Sequence, residues 1–233
     1  MATSGSVDYN VTATQLLSTS YELARVKDPI EPLTNNQTIQ GLSSLNKILK
    51  YLMKGGMPLW AIKKDTITLT ENTQSYTCGA AGTGLLERPL RILSAFYRDT
   101  NNDTQVELIS REEYWTLGDK SSTGIPTQIY YDPQLTLGVL YVYNPADAQA
   151  AGNDLHLIYH RPFQDMDSLA DDFDFPQEWY MAIEYLLATD LAMRNGIKQS
   201  RITQLDAKAK EYYFEASWWD VEDVSVSFQP DAN

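Results

Sequence analysis

Residues 171–196 read DDFDFPQEWYMAIEYLLATDLAMRNG, and the pattern of apolar residues changes within them. The first ten residues place four carboxylates among two phenylalanines, a proline and a tryptophan. In the rest, apolar residues recur three or four positions apart, which is the spacing of one face of an α-helix. We therefore predict a helix from Phe175 to Asn195 that Gly196 closes. Its apolar face consists of Trp179, Ile183, Leu186, Leu187 and Leu191.

The acidic run is explained by the start of this helix. Asp174 suits the N-cap and Pro176 the first helical position. Glu178 then lies in the first turn, where the helix dipole stabilises a negative charge by about 0.3–1 kcal/mol. The alternative is a pair of catalytic carboxylates, for which Glu178, Asp174 and Asp172 are the candidates. Their spacing singles out no acid with a raised pKa, so the helix start is the favoured interpretation.

Three further stretches also have helical spacing. Residues 12–26 and 36–54 carry apolar residues three or four positions apart. Gly55 and Gly56 end the second stretch in the manner of a left-handed C-cap. A last helix is predicted over 200–218.

The middle third of the chain alternates apolar and polar residues, which is the period of a half-buried β-strand. Turn residues separate most of the alternating runs, so we predict a series of antiparallel strands. A short helix over 111–117 stands between two of them. The predicted strands cover 66–70, 75–78, 89–99, 104–110, 126–132, 136–144 and 154–162.

Helices at both ends with strands between them predict an α+β fold. We expect an antiparallel helical bundle of about four helices with an inserted antiparallel β-domain and an extended C-terminal tail. The tail alternates apolar and polar residues after the last helix, as in a strand that pairs with a neighbour's edge. The predicted boundaries are 1–60 for the N-terminal bundle helices, 61–165 for the inserted β-domain, 166–219 for the C-terminal bundle helices and 220–233 for the tail.

The composition narrows the class of protein. A formal net charge of −13 argues against a general nucleic-acid binder, which needs basic groups to neutralise phosphates. The 15 tyrosines and 5 tryptophans suit interfaces as well as cores, because such side chains are apolar at one end and polar at the other. The single cysteine, the lack of a long apolar segment and an N-terminus unlike a signal peptide predict a soluble cytosolic product.

His156 and His160 form an H-x-x-x-H pair, which chelates zinc when it lies on a helix. The surrounding residues DLHLIYH alternate and predict a strand, in which residues four apart are separated by about 13 Å. One metal ion cannot bind both side chains at that distance, so we predict no metal site. With two histidines in the chain, a catalytic triad also has few candidates.

Three other features have structural explanations. The glycine-rich residues 79–84, GAAGTG, lack the Lys-Ser/Thr of a phosphate-binding loop and predict a flexible hairpin loop. Cys78 is expected to be a small buried hydrophobic residue. Arg88, Arg91 and Arg98 lie near aromatic residues on predicted strands. Given the net charge, we expect these arginines to form salt bridges with neighbouring acids rather than to bind nucleic acid.

Seven stretches follow one another in a characteristic order: RPLRILSAFYRD (88–99), ISREEYWTL (109–117), GIPTQIYYDP (124–133), LYVYNP (140–145), LIYHRPFQDMD (157–167), DFPQEWYMAIEYLLATDLA (174–192) and WWDVEDVSVSFQPD (218–231). In that order they resemble the head-to-tail adaptor proteins of tailed bacteriophages with short tails. These proteins are also called head-completion or tail accessory proteins. The similarity spans about Trp60 to the C-terminus. No single stretch is catalytic, so the specificity lies in the series.

The resemblance implies a non-enzymatic virion protein that forms a ring, usually a dodecamer in this family, below the portal protein. Such a ring extends the DNA channel, helps to retain packaged DNA and carries the tail nozzle or tail tube. DNA would pass through without sequence-specific binding, and no cofactor or membrane is expected. The protein, made in the host cytoplasm, would reside at the head-tail junction. The residues expected to contact the portal or a neighbouring subunit are Trp218, Trp219, Val224, Val226 and Phe228.

Two alternatives remain open at this point. The first is a peptidoglycan-degrading tail component with Glu178 and Asp174 as its carboxylates. The second is a glycan-binding virion module, in which exposed tyrosines of the β-domain stack on sugars.

Overall fold

A computed structural model describes residues 5, 9–53, 59–100 and 102–219. These residues form two compact units. The helical unit comprises the described residues within Met1–Trp60 and Phe163–Asn233, and the sheet unit comprises those within Ala61–Pro162. The predicted contact residues Val224, Val226 and Phe228 lie outside the described residues, as does the side chain of Trp219.

The described residues contain five α-helices and seven β-strands. The helices are α1 (Ala13–Leu23), α2 (Asn35–Leu52), α3 (Arg111–Thr116), α4 (Tyr180–Arg194) and α5 (Gln199–Trp219). The strands are β1 (Ile62–Thr68), β2 (Ser75–Cys78), β3 (Arg91–Asp99), β4 (Asn102–Leu108), β5 (Gln128–Pro133), β6 (Gly138–Tyr143) and β7 (Asp154–His160).

The seven strands form one mixed sheet in the order β1-β7-β3-β4-β5-β6-β2. Neighbouring strands are antiparallel except β4 and β5, which run parallel, with Glu107 opposite Gln128 and Leu108 opposite Ile129. A parallel pair cannot be joined by a tight hairpin and needs a longer crossover. Helix α3 and the loop that follows it provide that crossover.

The predicted fold class, a helical bundle with an inserted antiparallel β-domain, is therefore wrong. The sheet is mixed, and it dominates the core. Its buried hydrophobic cluster draws on every strand and includes Ile129, Leu140, Leu155 and Leu157, whose side chains are inaccessible to solvent. The error has a physical reason, because alternation identifies a strand but does not determine its direction. The short helix predicted between two strands is the element that makes the next strand parallel.

Three helices start at the same local motif. Thr12, Thr34 and Ser110 each accept a hydrogen bond from the backbone N–H three residues later. The side chain at that position accepts one in return from the capping residue's N–H, which completes a capping box. These short-range bonds fix where α1, α2 and α3 begin.

The start of α4 differs from the prediction. The helix begins at Tyr180 and is preceded by a 3-10 turn over Gln177–Trp179. Pro176 occupies the N-cap position of that turn in an extended conformation, with ψ 160°. Because a residue that precedes proline avoids helical dihedral angles, the helix cannot extend back to Phe175.

The acidic run has a role other than capping. Asp174 is not the N-cap, and its Oδ2 accepts a 2.7 Å hydrogen bond from the backbone N–H of Gln164. Asp171 Oδ2 accepts 2.8 Å bonds from the N–H groups of Asp167 and Ser168. These carboxylates therefore hold the loop before α4 in place. Phe175 and Trp179 anchor this segment, since both side chains are buried.

Helix α4 is the centre of the helical unit and contacts α1, α2 and α5. Its buried side chains occupy more than one face, which is typical of a helix enclosed by others. They are Ala182, Ile183, Leu187, Ala188, Thr189, Leu191 and Ala192. None of the helices in the described part of the chain combines the length and apolar character needed to cross a membrane.

Candidate protein-interaction surface

An open groove of about 660 Å³ lies between α2, α4 and α5 of the helical unit. We call it the helical groove. Apolar side chains from all three helices form its floor, and charged side chains stand around it. The floor residues are Ile48, Tyr51, Leu52, Leu186 and Tyr213, and the charged residues are Lys47, Asp190, Arg194, Asp206 and Lys210.

Two of the three cations at the helical groove are paired within their own helices. Arg194 Nε lies 2.6 Å from Asp190 Oδ2, and Lys210 Nζ lies 2.6 Å from Asp206 Oδ2. Lys47 is exposed and has no acidic partner among the described residues. Counting only pairs between described residues, the rim therefore carries one unpaired positive charge, although the chain as a whole is strongly acidic.

Ser44 introduces a polar atom into this apolar site. Its side chain lines the helical groove and is 1% exposed. Its Oγ has no hydrogen-bond partner among the described residues. Buried hydroxyl groups are nearly always hydrogen-bonded, so one without a partner among the described residues, at the wall of an open groove, indicates a place for a donor or acceptor of a bound group.

Helices α4 and α5 also expose large apolar side chains. Phe214 and Trp218 are 67% and 77% exposed and lie four residues apart, which places them on the same side of α5. Met181 and Met193 of α4 are exposed as well. Aromatic and methionine side chains are enriched in protein interfaces. Of the five predicted contact residues, Trp218 is thus placed on an exposed helix face.

The three candidate catalytic carboxylates, Asp172, Asp174 and Glu178, do not form a common site. The carboxylate of Asp174 is engaged by the loop before α4. Glu178 is exposed within the 3-10 turn, and Asp172 is exposed in the loop. None of them lines the helical groove.

The two histidines lie on β7, as predicted, and both are buried. The His156 ring stacks on Phe96 at 4.7 Å, and neither of its nitrogens has a hydrogen-bond partner among the described residues. Burial lowers the pKa of His156, helped by the nearby cations Arg98 and Lys64 and opposed by Asp154 and Asp103. Burial, assisted by Arg91, also lowers the pKa of His160.

We expect these histidines to make the protein less stable as the pH falls from about 7 to about 5. Their folded pKa values lie below the unfolded value of about 6.5, so the unfolded chain takes up protons first. Their contribution is complete above about pH 6.5 and is lost as the pH falls toward the folded pKa values. Glu184 acts in the opposite sense, because burial and the charge of Glu22 raise its pKa.

Urea unfolding at the two pH values checks this expectation in the wild type and in His156→Gln. The variant should lose less stability on acidification, because one of the two histidines is removed while Glu184 is retained. An equal loss in both proteins would contradict the assignment to His156.

The remaining sequence features have structural roles. Residues 79–84 fold back on β2, because the Gly84 N–H donates to the Thr77 carbonyl and the Gly79 N–H to that of Leu85. Cys78 is fully buried in the sheet core, as predicted, and burial raises its pKa.

The three arginines differ in their partners. Arg98 forms the predicted salt bridge, with bonds of 2.6 and 2.7 Å to Asp103. Arg88 instead donates to the carbonyl of Gln134. Arg91 lies near enough to His160 to lower its pKa.

The sheet unit carries an aromatic cluster that the sequence did not predict. Tyr114 and Trp115 of α3 contact Tyr141 at centroid distances of 5.3 and 5.9 Å, and Tyr130 stacks on Tyr141 at 5.7 Å. Lys120 Nζ lies 5.5 Å from the Tyr114 ring centre. Tyr114 and Tyr130 are buried, whereas Trp115 is exposed. The cluster packs α3 on the sheet and presents Trp115 at the surface.

Sequence reasoning also missed the helical groove. Ser44, Lys47 and Tyr51 belong to three different chemical types, and no motif connects them with α4 or α5. Their spacing on α2 was the one available signal, since residues 44, 47, 48 and 51 share a helix face. Neither models of known protein families nor curated proteins match this chain.

Proposed function

We propose that this chain is a structural head-to-tail adaptor of a short-tailed bacteriophage. It would assemble as a ring below the portal, extend the DNA channel, help to retain packaged DNA and attach the tail. The ordered series of stretches from RPLRILSAFYRD (88–99) to WWDVEDVSVSFQPD (218–231) supports this proposal.

The observation that carries the proposal is the set of large apolar side chains exposed on α4 and α5. A soluble chain that acted alone would leave Phe214, Trp218, Met181 and Met193 in water. A ring subunit would bury such side chains against its neighbours, and that burial would stabilise the assembly. Phe214 and Trp218 are the strongest candidates, because they lie on one side of α5 and are aromatic.

The net charge of −13 agrees with this function. DNA must slide through the channel of an adaptor without being held there. Fixed positive charge on the channel wall would bind phosphates and slow the movement, whereas an acidic wall repels them.

We expect the purified protein to form rings with a central channel, either alone or after addition of the cognate portal. Light scattering gives the mass and negative-stain microscopy gives the shape. Phe214→Asp combined with Trp218→Asp should abolish the rings, because the aspartates would place unpaired charges in the subunit contact. Leu135→Asp, which adds a charge at another highly exposed apolar residue, is the matched control and should form rings normally.

A protein that stays monomeric with and without portal would contradict the adaptor function. If the double variant formed the same rings as the wild type, Phe214 and Trp218 would not belong to the subunit contact. If the wild type hydrolysed peptidoglycan and the Glu178→Gln variant did not, the lytic alternative would be favoured.

A further inference from the structure

Among the described residues, nothing covers the apolar floor of the helical groove or bonds the hydroxyl of Ser44. The floor contains Tyr51, which is 71% exposed, and the partly buried side chains of Ile48 and Leu186. Ser44 Oγ lies among these apolar groups without a partner among the described residues. A fitting ligand would therefore combine apolar side chains with a free hydrogen-bonding group.

A segment of the same chain has this combination. Residues 220–233 read DVEDVSVSFQPDAN and follow directly on α5. Val224, Val226 and Phe228 alternate with polar residues, so they would lie on one side if the segment is extended. An extended segment that lies outside a sheet also has unpaired backbone N–H and C=O groups, and either kind can bond a serine hydroxyl.

The segment is long enough to reach the helical groove from the end of α5. Lys210 and Asp206 line the groove, and a helix rises 1.5 Å per residue, so they lie about 14 and 20 Å before Trp219. An extended chain spans about 3.3 Å per residue, so Phe228 reaches about 30 Å from Trp219. A segment that reverses direction after α5 can therefore place 224–228 over the groove.

The charges of the two partners are complementary. Residues 220–233 contain Asp220, Glu222, Asp223 and Asp231 and no basic residue. The groove provides Lys47, which has no acidic partner among the described residues, together with the paired Arg194 and Lys210. An acidic segment can thus approach this rim of the unit without meeting an excess of negative charge.

We propose that residues 220–233 dock into the helical groove of their own chain. The apolar side chains Val224, Val226 and Phe228 cover the floor, and a backbone group of the segment bonds Ser44 Oγ. Attachment to α5 favours this arrangement over the same segment of a second copy, because a short connection gives an effective concentration in the millimolar range. The inference concerns the free chain and does not depend on the adaptor function.

Amide hydrogen exchange of the full-length protein, followed by mass spectrometry without portal, tests the docking. In Val226→Asp combined with Phe228→Asp, the groove segments 44–52 and 206–213 should exchange at least about tenfold faster than in the wild type, because docking protects them from local opening. Ser225→Asp combined with Ser227→Asp is the matched control. It adds the same charge to the same segment on the opposite side of the extended chain and should leave the exchange unchanged.

A reciprocal variant tests the other partner. Tyr51→Ser should speed the exchange of residues 220–233, whereas Tyr9→Ser, at a tyrosine of similar exposure outside the groove, should not. If the amide exchange rates of the groove were the same in the wild type and in both double aspartate variants, the proposal would be overturned. An equal increase of these rates in both variants would also overturn it. Protection that grew with protein concentration, together with a dimeric mass, would assign the docked segment to a second copy and overturn the intramolecular form.

Discussion

Gly138→Val is expected to lower the free energy of unfolding by about 3 kcal/mol, because the new side chain would collide with Tyr131. A Cβ atom at Gly138 would lie 2.6 Å from Cζ of Tyr131 and closer still to its hydroxyl oxygen. The Tyr131 ring crosses over this position to donate a 2.6 Å hydrogen bond from its hydroxyl to the Pro89 carbonyl. Valine would displace the ring and break that bond.

Equilibrium unfolding in urea, followed by tryptophan fluorescence, measures this loss. Gly118→Ala is the matched control, because a Cβ atom there has no neighbour within 4 Å, and its stability should stay within about 0.5 kcal/mol of the wild type. Tyr131→Phe isolates the hydrogen bond and should cost about 1 kcal/mol. If Gly138→Val unfolded at the same urea concentration as the wild type, the close packing of Tyr131 on β6 would be wrong.

Leu187→Ala should destabilise the helical unit by about 3 kcal/mol, within the range measured for buried leucines. Leu187 is completely buried in α4, which contacts α1, α2 and α5. Three surrounding helices limit how far the structure can close around the vacated volume, so most of the cavity should remain. The loss of helical circular dichroism with increasing urea reports this change.

Met193→Ala on the same helix is the control for Leu187→Ala. Met193 is 56% exposed, so its truncation removes little buried surface and should change the stability by less than about 0.5 kcal/mol. Equal effects of the two substitutions would show that Leu187 is not at the centre of the helical unit.

Short-range patterns in the sequence located most of the secondary structure. Each of the seven predicted strands corresponds to a strand of the sheet, and β2 has the predicted bounds 75–78. The four long predicted helices and the short helix at 111–117 also correspond to helices of the structure. This agreement is expected, because hydrophobic periodicity and capping residues act within a few positions along the chain.

The errors concern features that depend on distant residues. The prediction of Asp174 as an N-cap used its position before Pro176, but its carboxylate is engaged by the backbone of Gln164, ten residues earlier. The direction of β5 depends on the path of the chain around α3, which alternation within β5 does not encode. The fold class was wrong for this reason.

The sequence by itself determined where helices and strands form, that Cys78 and Trp179 are buried, and that His156 and His160 lie on a strand. Only the tertiary structure decided the mixed order of the sheet, the contact of Tyr131 with Gly138, and the helical groove that Ser44 helps to line. The physical reason is the distance along the chain over which each kind of interaction acts. Local patterns record which side of an element is apolar, whereas a groove or a strand order requires elements that are far apart in the chain to meet in space.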